Sequence, residues 1–539
     1  MQFGGKGGHV NSTNSRAQHN FATVPSANIP RSQFNRSHGH KTTFNEGLLV
    51  PVFVDEALPG DTFSCKMTAF ARMATPIFPI MDNLYLESFF FAVPYRLIWS
   101  HWEKFNGSQD NPADSTSFIL PTVTAPAGAG VGVANGDLGD YFGIPTRVGS
   151  LVYCSLWNRA YNLIWNTWFR DENLQNSLTV DTGDGPDTYA NYASLQRRGK
   201  RHDYFTSCLP WPQKVNDGST LQVPLSGTAP VIRTAGASAT DQIRIAATGN
   251  LNAVNSILYT SAAGNFTESS GAIGYSIDPK ALVANLSAAT GVTINQLREA
   301  FQVQKMFERD ARGGTRYIEI IRSHFGVVSP DMRMQRPEYL GGGSDPVCIH
   351  PVPQTSVSAA TPQGNLAAFG TLSAHNHGFT KSFTEHCLII GLVCVRADIN
   401  YQQGLSRMFS RSTRYDFYWP ALSHIGEQAV LNKEIYCDGS ANDALTFGYQ
   451  ERFAEYRYKP SLVTGQFRSN YATPLDSWHL AQNFGALPTL NSTFIVENAP
   501  MSRVLAVANA PHFLFDSYFS LKCARPMPVY SVPGLIDHF

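Results

Sequence analysis

A mainly β fold, with two sheets packed as a sandwich or jelly roll and strands drawn from both halves of the chain, is predicted by three features. Aromatic residues make up 12% of the 539 positions, with 34 Phe and 22 Tyr, and 32 Pro and 43 Gly punctuate the chain. Short apolar segments alternate along their length, the period of a strand with one buried face. Long polar excursions separate these segments, as in sandwiches and jelly rolls. Length alone would allow three or four domains, but all-β units run longer, so the domain count stays open.

Charged residues are only 15% of the chain, with 41 basic and 41 acidic side chains. Soluble proteins usually carry about 25%. So little charge on so large a chain implies surface hidden against other subunits. Cys65, Cys154, Cys208, Cys348, Cys387, Cys394, Cys437 and Cys523 form no CxxC pair, which predicts free thiols in a reducing compartment. The first twenty residues lack an apolar core, so no signal peptide is expected. No run of about 20 apolar residues exists, so no membrane insertion is expected.

The elements follow in order. Residues 1–45 contain no Asp or Glu but carry Lys6, Arg16, Arg31, Arg36 and Lys41. Few aliphatics are present, which predicts a basic extended arm that lies on nucleic acid, ties subunits together, or does both. Strands are expected in "GLLVPVFVDEALPGD", "TFSCKMTAFARM" and "NLYLESFFFAVPY". The Gly-, Pro- and Asp-rich stretch 108–150 is expected to be loop. Leu156, Ala160, Leu163, Ile164 and Trp168 recur at helical spacing and predict a helix over 151–171. The polar turn 181–187 lacks the spacing and closing Glu of an EF-hand.

"RRGKRHDYFTSCLPWPQK" (197–214) is the densest basic cluster. Its first half is expected to close the helical region and to face nucleic acid or a neighbouring subunit. Its second half is expected to pack inward, with Cys208 a buried thiol. Residues 216–292, rich in Ala, Gly, Ser, Thr and Asn, read as a surface-projecting insertion. Thr293 and Gln296 then make a capping-box pattern before a helix carrying Leu297 and Phe301, with helix continuing through "RYIEIIRSHFG". Gly and Pro dominate 326–346. The strongest strand of the second half is "EHCLIIGLVCVRAD" (385–398). Strand-like pieces follow at 492–496 and 513–521, and the Pro-rich C-terminus is expected to extend as a tail.

Enzyme signatures are missing. The sequence has no phosphate loop, GxSxG elbow or HExxH helix. His375, His377, His386 and Cys387 form the tightest ligand-like set, and Asp61 and Asp82 lie near strands without forming a dyad. No cofactor and no enzymatic activity are expected.

Several long segments, in order, carry a resemblance. They are "SHGHKTTFNEGLLVPVFVDEALPGD" (37–61), "PIFPIMDNLYLESFFFAVPYRLIW" (76–99), the 197–214 run, "ARGGTRYIEIIRSHFGVVSPDMRMQRPEYLGGG" (311–343) and "FSRSTRYDFYWPALSHIGEQAVLNKEIY" (409–436). The chain resembles the major capsid proteins of the Microviridae, the small single-stranded DNA bacteriophages, and most closely the gokushovirus branch. The resemblance implies an eight-stranded antiparallel jelly roll of viral capsid type. It divides the chain into an arm (1–45), a first shell part (46–215), a threefold protrusion (216–292) and a second shell part with its tail (293–539). It implies 60 copies in a T=1 icosahedral shell around circular ssDNA, assembled in the bacterial cytoplasm and found in the virion. The implied partners are the chain itself, packaged ssDNA, a minor virion or DNA-pilot protein, and a host receptor reached through the insertion.

Packaged DNA needs charge neutralisation and sequence-tolerant stacking. Candidate DNA or intersubunit contacts are therefore the five arm cations together with Arg197, Arg198, Lys200, Arg201, Tyr204 and Phe205. A third set is Arg411, Arg414, Tyr415, Arg457, Tyr458, Lys459, Lys522 and Arg525. Two other readings compete: a single-stranded nucleic-acid binding protein, which would need a concentrated positive groove, and a trimeric host-surface adhesin, which would favour secretion.

Overall fold

The computed structural model describes residues 30–212, 214, 294–314, 316–326, 335–358, 360–507 and 509–530, with short strand segments between 231 and 284. The chain divides into two compact units, Met1–Pro212 with Gly326–Phe539, and Gln213–Phe325. The second unit thus runs past the expected boundary at 292.

Ten strand segments build a sandwich in the first unit: β1 (Ser32–Asn35), β2 (His38–Phe44), β3 (Val50–Ala57), β4 (Thr62–Met73), β5 (Leu84–Pro94), β6 (Glu338–Pro346), β7 (Cys348–Pro353), β8 (Leu366–Ser382), β9 (Cys387–Ala397) and β10 (Phe513–Arg525). One sheet has the order β1–β10–β4–β8–β7, with β2 also on β10, and the other has the order β6–β5–β9–β3. All these pairings are antiparallel. Successive strands alternate between the sheets from β2 to β5 and again from β8 to β10, which is the path of a jelly roll.

Side-chain alternation explains the sandwich. Along β4, Phe63, Cys65, Met67, Ala69, Ala71 and Met73 point inward and the residues between them face out. β10 does the same with Phe513, Phe515, Phe519, Leu521 and Cys523. These side chains meet Phe53, Leu86, Phe90, Ile389 and Val393 of the other sheet. Each buried Phe, Leu, Ile, Val or Met among them contributes roughly 2 kcal/mol. β9 does not alternate, because both its faces are covered. Leu388, Ile390 and Leu392 pack with Leu156, Ala160 and Ile164 of helix α1 (Leu156–Trp168). A strand buried on two sides reads as a continuous apolar run.

Several expectations need correction. The part of the expected extended arm that is described, residues 30–45, is not only extended but joined to the sheet: β1 and β2 pair along β10 through registers such as Phe34 with Cys523 and Thr42 with Phe515. Residues 1–29 lie outside the described residues. The helix expected over 151–171 begins only at Leu156, and Val152–Cys154 instead pairs with Thr122–Thr124 inside the expected loop. The strand-like piece at 492–496 is the short helix Ser492–Ile495, capped by the Asn491 side chain accepting from Phe494 N at 2.9 Å. The second unit contains α2 (Ile294–Gly313) and a separate helix α3 (Tyr317–Phe325). Thr293 and its capping box lie outside the described residues. Three short antiparallel pairs are nested in sequence within 231–284: Val231–Arg233 with Leu282–Ala284, Ile245–Ala247 with Tyr275–Ile277, and Tyr259–Thr260 with Phe266–Thr267.

The triple glycine belongs to strand β6. A Cβ at Gly342 would stand 2.0 Å from the Ser88 carbonyl oxygen, and one at Gly343 2.3 Å from the His377 ring. His377 is buried there between Ser88 Oγ and Asp345 Oδ2, both at 2.8 Å. The glycines let β6 close against β5 and β8 together. Replacing Gly342 by Ala is therefore expected to cost about 1–3 kcal/mol through overpacking against backbone. The check is the thermal unfolding midpoint of the purified chain, and an unchanged midpoint would count against this close approach.

Candidate nucleic-acid and subunit interface

The basic run at 197–201 does not close a helix. It is an extended segment laced between two others: Leu48 bridges Arg197 and Gly199 bridges Val496. Arg198 N donates to Gly47 O at 2.8 Å, Lys200 N to Ile495 O at 2.8 Å, and Glu497 N to Arg198 O at 2.7 Å. Extended backbone alternates its side chains, so neighbouring charges of the run diverge.

Arg197 donates to Glu497 O at 2.8 Å and lies 3.6 Å from the Glu46 carboxylate. Lys200 is only 7% exposed. Its ammonium donates to Gln482 Oε1 at 2.9 Å and stands 4.0 Å over the Phe494 ring. Burial pulls the pKa of Lys200 down to about 8. Arg198 pairs with Glu87 and lies 4.8 Å over Phe89, and burial lowers its pKa to about 10. Arg201 is the outward member, 3.0 Å from Asp398, 3.5 Å from Glu87 and 4.9 Å over Tyr85.

The aromatic half of the run packs inward. The Tyr204 hydroxyl donates to Glu434 Oε2 at 2.9 Å, and Phe205 meets Tyr401 and Phe447 edge-on. Both belong to a core cluster with Cys208, Val430 and Ile435. Lys200, Tyr204 and Phe205 are therefore largely buried within the chain.

The arm cations divide in the same way. Arg31 donates to Gly60 O at 2.6 Å, and Arg36 is paired with Asp55 at 2.6 Å. Lys41 is exposed, 3.3 Å from Asp516. Lys6 and Arg16 lie outside the described residues. Arg525 at the end of β10 donates to Glu56 O at 2.6 Å and is paired with Asp61 at 3.2 Å. Lys522 stays on the outer face of the six-stranded sheet, together with Lys66, Arg72, Phe70, Leu514 and Tyr518.

The third candidate set stacks on itself. Arg411 lies 4.5 Å over Tyr456 and 3.6 Å from Glu455. Arg414 lies 5.3 Å over Trp419 and 5.6 Å over Tyr415, which is itself exposed. Arg457 pairs with Glu451. Tyr458 borders a small pocket with Lys459 and Tyr204.

The structure brings Arg198 and Arg201 together with groups that sequence reasoning did not select. Arg396 of β9 shares Glu87 with them at 3.0 Å, and Phe89, Trp168, Phe169 and Tyr339 wall the same cleft. Arg396 is the single cation in the apolar run of β9, and Glu87 is the single charge in the "LYLESFFF" stretch of β5. A lone charge in an otherwise apolar buried strand signals an internal partner, and that signal could have found both.

The metal-like set does not converge. His377 is held by Ser88 and Asp345, His375 pairs with Ser373, and His386 stands edge-on to Trp102. Among the described residues no three His, Cys, Asp or Glu are placed to hold a metal ion, and none of their helices is long and apolar enough to cross a membrane.

A jelly roll is a fold that viral shell proteins share with other proteins, and comparison with known families places this chain in the class of structural shell proteins. The family described as capsid protein (F protein) matches residues 22–535, and the chain belongs to that family. It is 49% identical to capsid protein VP1 of Bdellovibrio phage phiMH2K, over 97% of this chain and 98% of that protein. It is 45% identical to capsid protein VP1 of Chlamydia phage 1, over 96% and 97%, and 38% identical to that of Spiroplasma virus 4, over 96% and 97%. The chain is thus a structural virion component rather than an enzyme.

Proposed function

We propose that 60 copies of this chain close into a T=1 icosahedral shell around circular ssDNA in the cytoplasm of a bacterial host, and that 216–292 forms threefold protrusions that meet the host surface. The carrying observation is that capsid relatives match almost end to end a chain whose body is a jelly roll. Low charge and the exposed Phe70, Leu514 and Tyr518 on the outer sheet face support burial against neighbours. A closed shell arises from heterologous contacts that symmetry completes. In this reading a minor or DNA-pilot protein and a host receptor are the further partners.

Electron microscopy of the chain expressed in bacteria tests the proposal. Closed isometric particles containing nuclease-protected ssDNA are expected when a packaging system is supplied. Filaments along DNA would favour the single-stranded binding protein, and isolated trimers the adhesin. Particles whose protrusions persist after deletion of 216–292 would overturn the role given to that region.

A further inference from the structure

We propose that the cleft between β5, β6 and the 198–202 segment seats one nucleotide of single-stranded DNA. This rests on the packaging reading above and gives it an address. The cavity measures about 510 Å³, within the range of small-ligand sites.

One wall is aromatic. Phe91, Trp168 and Tyr339 lie within 5.6–6.2 Å of one another, centroid to centroid. Phe89 and Phe169 continue the wall, 5.3 Å apart and edge-on. Tyr339 is still 43% exposed and Trp168 38%, and because Arg336 lies over the Trp168 ring the surface open to a planar guest is chiefly that of Tyr339. Trp168 is held in place by its Nε1 donating to Pro337 O at 2.9 Å.

The other wall is cationic. Arg198, Arg201 and Arg396 all converge on Glu87, and Arg201 alone reaches a second carboxylate, Asp398. Arg336 adds a fourth guanidinium, 4.7 Å over Trp168. Arg198, Arg201 and Arg396 outnumber Glu87 and Asp398, the two carboxylates they pair with, so this set of ion pairs carries excess positive charge. The side chains of Arg198 and Arg396 are only 18% and 11% exposed, so their guanidiniums are fixed before any ligand arrives.

Open ring surface beside excess, pre-oriented guanidinium matches the two parts of a nucleotide. The base stacks without regard to its identity, and the phosphate takes charge-assisted hydrogen bonds. An acidic peptide would leave the rings unused, and an apolar side chain of a neighbouring copy would leave the guanidiniums unused. Arg201 and Tyr339, the most exposed members of each wall, carry the contact.

Ultraviolet crosslinking of the full-length chain to an oligothymidylate of about 20 nucleotides, with mass spectrometry of the adducts, tests this without altering the protein. Adducts on Trp168 or Tyr339 are expected. Arg201→Gln and Tyr339→Leu are each expected to weaken binding about tenfold at fixed salt, with the arginine change lowering the salt slope by about one. Adducts confined to other segments overturn the proposal. So does thymidine monophosphate labelling the cleft as well as the oligomer at equal nucleotide concentration, which would make a free nucleotide the ligand. Loss of particles with unchanged oligonucleotide binding would make the cleft a subunit contact instead. Particles that carry DNA while crosslinks fall elsewhere remove only the cleft, whereas shells that never carry DNA remove the packaging reading with it.

Discussion

Replacing Arg159 by Leu is expected to destabilise the chain by about 3–5 kcal/mol, the cost of stripping one partner from a buried ion pair. Arg159 and Asp187 both have fully buried side chains. The guanidinium grips Asp187 through two bonds, at 2.7 and 2.6 Å. It also donates to Ile98 O at 3.0 Å and Gly183 O at 2.8 Å. One side chain of α1 thus fastens both the turn after β5 and the 181–187 loop. Leu at this position would leave a carboxylate in the interior with no cation and two carbonyls with no donor. Because α1 covers the outer face of β9, its release would expose Leu388, Ile390 and Leu392. The urea midpoint of the unassembled chain should fall, and proteolysis within 181–192 should quicken. The double variant Arg159→Leu with Asp187→Leu should recover much of the loss, since apolar replacement of a whole buried pair is often neutral. A single variant that unfolds at the wild-type midpoint would show that the pair does not fasten α1.

The sequence was most legible where one segment alone decides its burial. β4 and β10 alternate because one face meets the core, and β9 runs apolar because both faces do. β1 and β2 were not legible, because "SQFN" and "HGHKTTF" have little apolar pattern of their own. Their strand character comes from pairing with β10, at the far end of the chain. The triple glycine was opaque for a related reason: it is required by the approach of β5 and β8, which local composition does not reveal. The 492–496 piece is a short apolar run, where helix and strand cannot be separated by period. At the candidate site, the charges of 197–202 were visible but their directions were not. Whether Lys200 met solvent or Phe494 depended on a segment almost 300 residues later.

Replacing Glu497 by Gln is expected to leave stability near the wild-type value at pH 5 and to raise it by about 3 kcal/mol at pH 8. Glu497 is 0% exposed and lies where 46–48, 197–199 and 395–397 meet. Its carboxylate accepts from Ala397 N at 3.0 Å. Burial dominates and, with Glu46 nearby, pushes its pKa up from 4.5 to about 7, although Ala397 N, Arg396 and Lys200 pull the other way. Between those values the folded chain keeps a proton that the unfolded chain gives up. The stabilisation this provides is full below 4.5 and is lost as pH rises through about 7. The 2.5-unit span (7 − 4.5) corresponds to about 3 kcal/mol. Gln keeps an acceptor for Ala397 N and never ionises, so it escapes that loss. Subtracting the urea midpoints of the two chains at each pH removes the titrations of groups that do not interact with Glu497. A gap opening between pH 5 and 8 is the expected result, and parallel profiles would mean that Glu497 is charged in the folded chain throughout. In the wild type, alkaline pH should therefore loosen the junction that holds Arg197 and Arg198 in place, and oligonucleotide crosslinking at the neighbouring cleft should weaken less in Glu497→Gln than in the wild type as pH rises.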